Sequence, residues 1–256
     1  LQSNEVQGTT FFDFFAGTTN VGRFFKSKDY QVFSSDILYL SYCLQKAYIE
    51  NNSEPKFEKL LNFIPQQNTE SFFSYPLEIV VGYLNTLEGV EGFIYKNYTP
   101  SGTKDLSQPR MYFIDENGKK IDAIRQQIEN WKNEDLISET EYFVLLACLI
   151  ETIGFYSNIA GVYAAFHKTW DFRALRPLEL RTIKFLDNHQ KNIVYNDDSM
   201  NLLDKVNVDI LYLDPPYNER QYAPNYHILE TIAKYDEPEL RGVTGMRDYA
   251  SQKSRF

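Results

Sequence analysis

The residues best suited to chemistry lie in the sequence Asp214-Pro215-Pro216-Tyr217. A carboxylate and a backbone carbonyl can accept both N–H bonds of an exocyclic amino group, which leaves the nitrogen lone pair directed at an electrophile. The ring of Tyr217 offers a face on which a planar base can stack. The prolines restrict the backbone and therefore hold the carbonyls of Asp214 and Pro215 in place. This combination indicates alkylation of an amino group on a planar ring.

The apolar run at residues 208–213 predicts the strand that positions Asp214. Its aliphatic, β-branched and aromatic side chains are typical of a strand that is covered on both faces, and the two prolines end the strand at Asp214. Open parallel sheets bind ligands beyond the carboxyl ends of their strands. The sequence therefore places Asp214 at the rim of a cleft.

A second candidate element is the segment GTTFFDFFAGTTNVGRFF at residues 8–25. It predicts a strand at Phe11–Phe15, a small-residue turn at Ala16–Thr19, and a helix at Asn20–Lys26 with Asn20 as its cap. Gly17 permits close approach of a ligand, and amides of such a turn can bind a carboxylate or phosphate. A turn that needs glycine only for packing explains the same pattern. The glycines do not follow G-x-G-x-x-G, which disfavours a dinucleotide.

Two more strands are predicted to end in acidic residues. Tyr30–Ser34 ends near Asp36, which is placed either to bond ribose hydroxyls or to cap a helix that begins at Leu38. The strand that starts at Ile193 is followed by Asp198 and a short helix. We expect Gly17, Asp36, Asp198 and Asp214 to lie along one edge of the same sheet, because parallel strands share their carboxyl ends.

The pattern between residues 38 and 187 is helical and irregular, which predicts an inserted subdomain. Helices are expected at Leu38–Glu50, at Ile121–Trp131 and at Glu139–Ala160, the last bounded by Ser138 and Gly161. Tyr95–Arg110 is rich in Gly, Pro, Ser, Thr, Asn and Lys and reads as a long exposed loop with a binding function.

The segment Phe166–Lys191 reverses the charge of the chain, with six basic residues against three acidic ones in a protein of net charge −9. Basic residues interleaved with Trp170 and Phe172 predict a surface that contacts phosphates, although an ordinary solvated face fits as well. The predicted DNA contacts are Lys168, Arg173, Arg176 and Arg181.

Composition sets the broad class. The 256 residues, 43% of them hydrophobic, suffice for one large domain or a domain with an insertion. Cys43 and Cys148 lie in apolar helical contexts and form no metal or disulfide pattern, so we expect buried thiols, no metal and a cytoplasmic protein. The longest apolar run, Phe143–Ile150, is too short to span a bilayer.

Together these segments resemble the Dam-like adenine-N6 DNA methyltransferases, which use S-adenosylmethionine. The segment DFFAGTTNVGRFF at residues 13–25 looks like the cofactor motif of that family, and Asp36 looks like its ribose-binding acid. NDDS at residues 196–199 resembles the motif that lies near the adenine of the cofactor, and DPPY at residues 214–217 resembles the catalytic motif. The resemblance covers residues 8–51 and 190–250. It implies a Rossmann-like, doubly wound α/β sheet, with residues 8–51 and 190–256 as the catalytic domain and 52–189 as a mostly helical target-recognition region.

The resemblance also implies the roles of individual residues. The catalytic residues are Asp214, Pro215, Pro216 and Tyr217. The cofactor would be bound by Phe15, Ala16, Gly17, Thr18, Asp36, Ile37, Asp198, Ser199 and Asp214. Asn218, Arg220 and Tyr222 would contact DNA from the loop that follows the catalytic motif, whereas Tyr226 and His227 begin a helix in which packing explains them equally well.

The implied reaction is transfer of a methyl group from S-adenosylmethionine to N6 of adenine flipped out of duplex DNA, in a restriction-modification system with a cognate endonuclease. Methylation of an RNA base, or a nucleic-acid-binding homologue with impaired catalysis, are the alternatives. Thr19 stands where the family usually has a second glycine. The family also has a Lys- and Gly-containing segment before the first strand and further strands after the catalytic motif, so a fragment of a longer protein is expected.

Overall fold

The protein was analysed as a computed structural model that describes residues 7–65, 75–215 and 222–253. The chain divides into two compact units. The first comprises residues 1–54, 184–221 and 254–256, and the second comprises residues 55–183 and 222–253. Cys43 and Cys148 are both buried free thiols, as expected.

The first unit is built on a parallel sheet. Its strands are β1 (Thr10–Asp13), β2 (Gln31–Ser35), β3 (Ile193–Tyr195) and β4 (Ile210–Tyr212). All pairings are parallel and the spatial order is β3-β2-β1-β4, so the direction of winding changes between β1 and β4. This is the order of the first four strands of a Rossmann fold, and such a change of direction opens a ligand crevice. The expected α/β class with a Rossmann-like methyltransferase sheet is confirmed.

One face of this sheet is covered by helices. They are α1 (Asn20–Lys26) and α2 (Tyr39–Gln45), the latter continued by a π-helical turn at Lys46–Glu50. Phe25 of α1 stacks on Phe11 of β1 with ring centroids 3.6 Å apart, and Ile49 packs beside them. Lys26 is buried and donates to the carbonyls of Tyr48 and Asn51, which ties α1 to the end of the π-helical turn.

The other face is packed by Leu202, Val206 and Val208, from the 3₁₀ turn at Ser199–Leu202 and the segment that follows it. The prediction that β4 is covered on both faces is wrong in the part of the chain that the structure describes. Leu211 is 43% exposed, because β4 is the edge strand and its side chain on this face lies beyond the apolar cover.

The second unit is mainly helical. Its helices are α3 (Glu58–Leu61), α4 (Pro76–Thr86), α5 (Phe93–Tyr98), α6 (Asp115–Asn133), α7 (Glu139–Ile153), α8 (Tyr222–Asn225) and α9 (His227–Lys234), with a short hairpin of β5 (Leu240–Arg241) and β6 (Met246–Arg247). Arg125 of α6 is buried and donates to the carbonyls of Ile232 and Ala233, which fixes the end of α9. The regular elements described between β2 and β3 are thus all helical, as predicted.

Helix α7 begins as predicted, because Ser138 accepts from the amide of Glu141 while the Glu141 carboxylate accepts from the amide of Ser138. The prediction that it runs to Ala160 is wrong. It ends at Ile153 and tightens into a 3₁₀ turn at Gly154–Tyr156. The hydroxyl of Ser157 then bonds the carbonyl of Ile153, which satisfies an acceptor at the helix end.

The boundaries of the two units differ from the functional division expected from the sequence. Residues 222–253 pack with residues 55–183, and residues 184–189 belong with the sheet. The assignment of a catalytic domain and a target-recognition region stays a prediction. None of the helices in the described ranges is long and apolar enough to span a lipid bilayer.

Candidate cofactor and catalytic site

The four strand ends meet at one edge of the sheet, as expected. Asp13, the last residue of β1, is in register with Ser34 of β2 and Tyr212 of β4. Ser35 of β2 is likewise in register with Tyr195 of β3. Because all strands are parallel, the segments with Gly17, Asp36, Asp198 and Asp214 leave the sheet on the same side.

The turn after β1 is held by the end of β2. The amide of Ala16 donates to the carbonyl of Ser35 at 3.0 Å, and the amide of Gly17 donates to Oδ2 of Asp36 at 2.8 Å. Gly17 has φ +50°, a conformation that glycine adopts without strain. Gly17 and Thr18 are exposed and Phe15 is half-buried, so this turn is open to a ligand.

The prediction that Asn20 caps α1 is wrong. The cap position is Thr19, which has φ +66° and makes no capping hydrogen bond with its side chain. Asn20 is instead the first helical residue, and its side-chain amide donates to the hydroxyl of Thr18 at 3.1 Å. The amide of Gly22, which a capping side chain would normally bind, donates to Oδ2 of Asp13 at 3.1 Å.

Asp36 holds the start of α2, one of the two roles that the sequence left open for it, and its ribose-binding role stays a prediction. Its Oδ1 accepts from the amide of Leu38 at 2.8 Å, directly before α2, while its Oδ2 holds Gly17. Each oxygen of a carboxylate can accept more than one hydrogen bond, so these contacts leave the group able to bind ribose hydroxyls. Asp36 and Ile37 are half-buried, and the side chain of Asn196 donates to the carbonyl of Asp36 at 2.9 Å.

The segment after β3 is fixed in a similar way. Asp198 is half-buried and its Oδ1 accepts from the amide of Met200 at 3.1 Å, which caps the 3₁₀ turn. Ser199 is buried, and its hydroxyl bonds the carbonyl of Phe14 and the hydroxyl of Ser35. The hydroxyl of Ser199 therefore has partners inside the protein, whereas the carboxylate of Asp198 lies closer to the surface.

Asp214 follows β4 at the same edge, and it and Pro215 are half-buried. Pro216, Tyr217, Asn218 and Arg220 lie outside the described residues. Tyr222 begins α8 in the second unit and is 45% exposed. The catalytic, cofactor-binding and DNA-binding roles expected for these residues stay predictions.

Sequence reasoning missed Asp13. This carboxylate is 1% exposed and lies on the strand between the two that carry Asp36 and Asp214. Only its Oδ2 has a partner within the described residues, the amide of Gly22. An acidic residue inside the aromatic run TFFDFF was the available signal, since a buried carboxylate is rare without a specific partner.

Residues 166–183 of the second unit, here called the basic strap, form neither helix nor strand. Lys168, Arg173, Arg176 and Arg181 are all exposed on it. Arg173 pairs with Asp171 at 2.8 Å and holds the pKa of that carboxyl at about 2. The guanidinium groups of Arg176 and Arg181 lie 5.3 Å and 5.2 Å from the ring centres of Phe172 and Phe155.

The backbone of the basic strap is hydrogen-bonded to side-chain amides of two helices, because the strap itself forms no helix or strand. Asn117 of α6 accepts from the amide of Leu178 at 2.8 Å and donates to the carbonyl of Arg176 at 2.9 Å. Asn85 of α4 bonds both the amide and the carbonyl of Leu180, at 2.7 and 2.9 Å. These anchors were missed from the sequence. They hold the strap on the second unit while its cations face solvent.

The expectation of a long exposed loop at Tyr95–Arg110 is wrong in large part. Helix α5 extends to Tyr98, and Thr99, Thr103 and Arg110 are buried. The Arg110 guanidinium donates to the carbonyls of Asn97, Gly242 and Val243. The polar residues that suggested a loop thus form internal hydrogen bonds, and only short stretches such as residues 104–107 are exposed.

Across the described parts of the chain no cluster of three or more His, Cys, Asp or Glu side chains could hold a metal ion.

Comparison with known proteins gives a family that matches the whole chain. The model of the D12 class N6 adenine-specific DNA methyltransferases matches residues 1–256. The chain is 48% identical to the type II methyltransferase M.FokI of Planomicrobium okeanokoites over 96% of its own length and 36% of that protein. It is 42% identical to the modification methylase StsI of Streptococcus sanguinis, over 96% of the chain and 35% of the relative.

A third relative is shorter. The type II methyltransferase M.NlaIII of Neisseria lactamica is 43% identical over 99% of the chain and 69% of that protein. The chain thus spans about a third of the length of the first two relatives and about two thirds of the third. No solved structure matches it significantly.

Proposed function

Because the chain belongs to the D12 class of N6 adenine-specific DNA methyltransferases, we propose that it methylates N6 of adenine within a specific sequence of duplex DNA. The methyl donor of this family is of the S-adenosylmethionine type, and we take S-adenosylmethionine itself as the cofactor. The relatives carry the names of type II methyltransferases and modification methylases. The protein would accordingly protect DNA, in the cytoplasm, against a cognate restriction endonuclease.

The observation that carries this proposal is the placement of two carboxylates on either side of β1. Asp36 follows β2 and bonds the Gly17 turn, and Asp214 follows β4, on the other side of the change in winding. Ligands of such sheets bind at this point. A nucleoside cofactor with its ribose on Asp36 would therefore lie next to the carboxylate expected to hold the target base.

The residues at this edge fit the cofactor. The Asp36 carboxylate can accept from ribose hydroxyls, and Asp198 would accept from an adenine amino group. The open turn at Gly17 and Thr18 lets a ligand approach the backbone closely. When bound, S-adenosylmethionine supplies an electrophilic methyl group.

The chain itself would orient the nucleophile. Asp214 and the carbonyl of Pro215 would accept the two N–H bonds of the adenine amino group and so direct its lone pair at the methyl group, with Tyr217 stacked on the base. The base must be flipped out of the duplex to reach this position. Positioning and exclusion of water then supply most of the rate, since the reaction needs no covalent intermediate on the protein.

The basic strap is the surface that we assign to the target DNA. Its exposed cations sit on a segment pinned by Asn117 and Asn85, so a bound phosphate backbone would meet a pre-ordered row of charges. Phosphate contacts set the register of a protein on DNA, whereas base contacts specify sequence. The recognition sequence would depend on groups beyond these cations.

A methyl-transfer assay tests the proposed function. The complete protein is incubated with methyl-tritiated S-adenosylmethionine and either duplex DNA or structured RNA, and the labelled nucleoside is identified. We expect label in duplex DNA as N6-methyladenine. Label confined to RNA would establish the RNA methyltransferase alternative, and cofactor binding without transfer to either substrate would indicate a homologue that has lost catalysis.

A further inference from the structure

A cleft beside α1 in the first unit has no role in the reaction described above. Its volume is about 470 Å³, within the range of roughly 300–1,000 Å³ that is typical of small-ligand sites. The cleft, here called the α1 cleft, is lined by Asn20, Arg23 and Phe24 of α1, by Tyr48 of the π-helical turn, and by Lys184 and Phe185 from the segment before β3. Cations and aromatic rings thus share one concave surface.

Arg23 brings to the α1 cleft a guanidinium whose donors are unused. The group lies over the ring of Tyr48, 4.1 Å from its centre, and Arg23 is half-buried. Within residues 7–65, 75–215 and 222–253 its side-chain N–H groups form no hydrogen bond and no ion pair. A planar guanidinium presents a fork of donors that matches the oxygens of a phosphate or carboxylate. A half-buried fork without an acceptor therefore points to a ligand that brings acceptors with it.

The ring beneath Arg23 is held in place by the protein. Tyr48 is buried, and Lys26 donates to its carbonyl at 3.0 Å and to the carbonyl of Asn51 at 2.6 Å. These two bonds satisfy acceptors at the end of the π-helical turn and fix its backbone. The guanidinium of Arg23 therefore stacks on an ordered ring before any ligand arrives, which lowers the entropy cost of binding.

Lys184 adds a second positive charge to the α1 cleft. It is exposed and forms no ion pair with an acid in the part of the chain that the structure describes. The acid that follows it, Asp187, accepts from the amide of His189 at 2.8 Å. The protein as a whole has a net charge of −9. Two cations without an acidic partner are thus a local exception, and such a cleft attracts an anion.

The aromatic side chains give the anion site a second property. Phe24 is 56% exposed, although burial of such a ring would stabilise the fold, and Phe185 is half-buried. Exposed rings beside a basic groove are typical of surfaces that hold nucleotides, because the bases stack on the rings while the cations bind the phosphates. An inorganic anion would leave these rings without a function.

We propose that the α1 cleft binds a nucleoside phosphate, with the phosphate on Arg23 and Lys184 and the base against Phe24 or Phe185. A nucleotide of the DNA strand and a free nucleotide both supply this chemistry. We assign the cleft to a nucleotide of the DNA outside the methylated adenine, because Lys184 is the next basic residue after Arg181 of the basic strap. This choice of source rests on the proposed function.

A nucleotide in the α1 cleft would lie close to the turn expected to hold the cofactor. Asn20, which lines the cleft, donates from its side chain to the hydroxyl of Thr18 at 3.1 Å. Thr18 belongs to the open turn after β1. The cleft would therefore hold the DNA strand beside the cofactor turn through contacts to phosphate and to one stacked base, and these contacts set position without reading the sequence.

The first arm of the test measures binding of duplex DNA to the complete protein at several salt concentrations. Arg23→Gln and Lys184→Gln are each expected to reduce the slope of log affinity against log salt by about one. Arg23→Lys should keep the slope but weaken binding, because an ammonium lacks the planar fork. Phe24→Leu should weaken binding roughly fivefold or more at an unchanged slope, because it removes stacking but no charge.

Lys205→Gln is the matched control for these charge variants. Lys205 is exposed in the same unit, but it lies beside Val206, which packs on the other face of the sheet. The variant should keep the wild-type slope. If Arg23→Gln does not fold, Lys184→Gln decides, because its side chain is exposed and its replacement disturbs no packing.

The second arm uses calorimetry with 2′-deoxyadenosine 5′-monophosphate on the wild type, Arg23→Gln and Lys184→Gln. A reduced DNA slope in the cleft variants supports the proposal with a nucleotide of the strand as the ligand. Wild-type DNA slopes together with nucleotide binding that both variants weaken support it with a free nucleotide as the ligand. Wild-type DNA slopes in both variants, with nucleotide binding that is absent or unchanged by the substitutions, overturn the proposal.

Failure of the proposed function gives a different result. A wild-type protein that neither binds nor methylates duplex DNA contradicts the proposed function, and the calorimetry with the free nucleotide then decides on the α1 cleft alone. Conversely, cleft variants that match the wild type in both arms while the wild type methylates DNA overturn only the assignment of the cleft.

Discussion

The amide of Gly17 donates to the carboxylate of Asp36 at 2.8 Å, so the acid after β2 holds the turn after β1 in place. The second oxygen of Asp36 holds the amide of Leu38, before α2. A single carboxylate therefore fixes the shape of the expected cofactor site before any ligand arrives. Its replacement has both a structural and a binding consequence, and an experiment must separate the two.

Asp36→Ala is expected to weaken binding of S-adenosylmethionine by roughly 1.5–3 kcal/mol, the value of hydrogen bonds to a charged group. For an analogue that lacks both ribose hydroxyls, the variant should weaken binding much less, because the analogue makes no contact with Asp36 in the wild type either. Calorimetry measures the dissociation constants of both ligands for the wild type, for Asp36→Ala and for the control Asp209→Ala. Asp209 precedes β4 and accepts from the amides of Thr9 and Thr10. Equal losses for the two ligands would assign Asp36 to the turn and the helix start alone.

The basic strap should govern the salt dependence of DNA binding. Arg176→Gln and Arg181→Gln are each expected to reduce the slope of log affinity against log salt by about one, the value for one lost phosphate contact. Arg173→Gln should change the slope less, because its guanidinium is already paired with Asp171. Titration of duplex DNA at several salt concentrations measures these slopes.

Lys59→Gln is the control for the strap variants, since Lys59 lies in α3 of the same unit and pairs with Asp135. It should leave the slope unchanged. A slope that all the arginine variants share with the wild type would show the strap to be an ordinary solvated face.

His227 should make the protein sensitive to acid. It is fully buried, its Nε2 contacts the carbonyl of Tyr163 at 2.9 Å, and burial lowers its pKa to about 4. The unfolded chain then binds a proton more readily than the folded one, so stability is lost as the pH falls from about 6.5 towards 4. The free energy of unfolding falls by at most about 3 kcal/mol over this pH range through the protonation of His227.

Urea unfolding at pH 7 and pH 4.5 tests this for the wild type and His227→Gln. The variant should lose less free energy of unfolding between the two pH values. Asp13 changes stability in the opposite direction over an overlapping range, because its folded pKa is raised, but this contribution cancels in the comparison. His189→Gln is the control, since His189 is exposed. Equal pH dependence of the wild type and His227→Gln would contradict the prediction.

Much of the sheet could be predicted because its signals are local. The apolar runs predicted strands at Phe11–Phe15, at Tyr30–Ser34 and directly before Asp214. The observed strands end at Asp13, Ser35 and Tyr212, within about two residues of those bounds, and parallel pairing brings these ends together. The bounds of α1 at Asn20–Lys26 were also predicted. Its cap was not, because Asp13 binds the Gly22 amide from a neighbouring element and the left-handed Thr19 then needs no capping bond.

The features that were missed depend on contacts between distant residues. Asn117 and Asn85 look like ordinary polar residues of amphipathic helices, yet they anchor a strap some 60 to 95 residues away along the chain. The stretch at Tyr95–Arg110 looks like a loop by composition, yet Arg110 buries its guanidinium against carbonyls 132 and 133 residues later. Composition shows which groups are polar, but not which partners satisfy them.

The proposed chemistry depends most on Asp214, which is expected to orient the target amino group. The decisive measurement compares the rate of methyl transfer to duplex DNA and the dissociation constant for S-adenosylmethionine in Asp214→Ala, Asp214→Asn and the wild type, on the same preparations of the complete protein. Asp214→Ala should reduce transfer by at least ~10²-fold, the loss expected for one oriented transition-state hydrogen bond, and should weaken cofactor binding much less. Asp214→Asn keeps one acceptor and should retain part of the activity. Full turnover in Asp214→Ala, or equal losses in turnover and cofactor binding, would contradict the assignment of Asp214 to the target base.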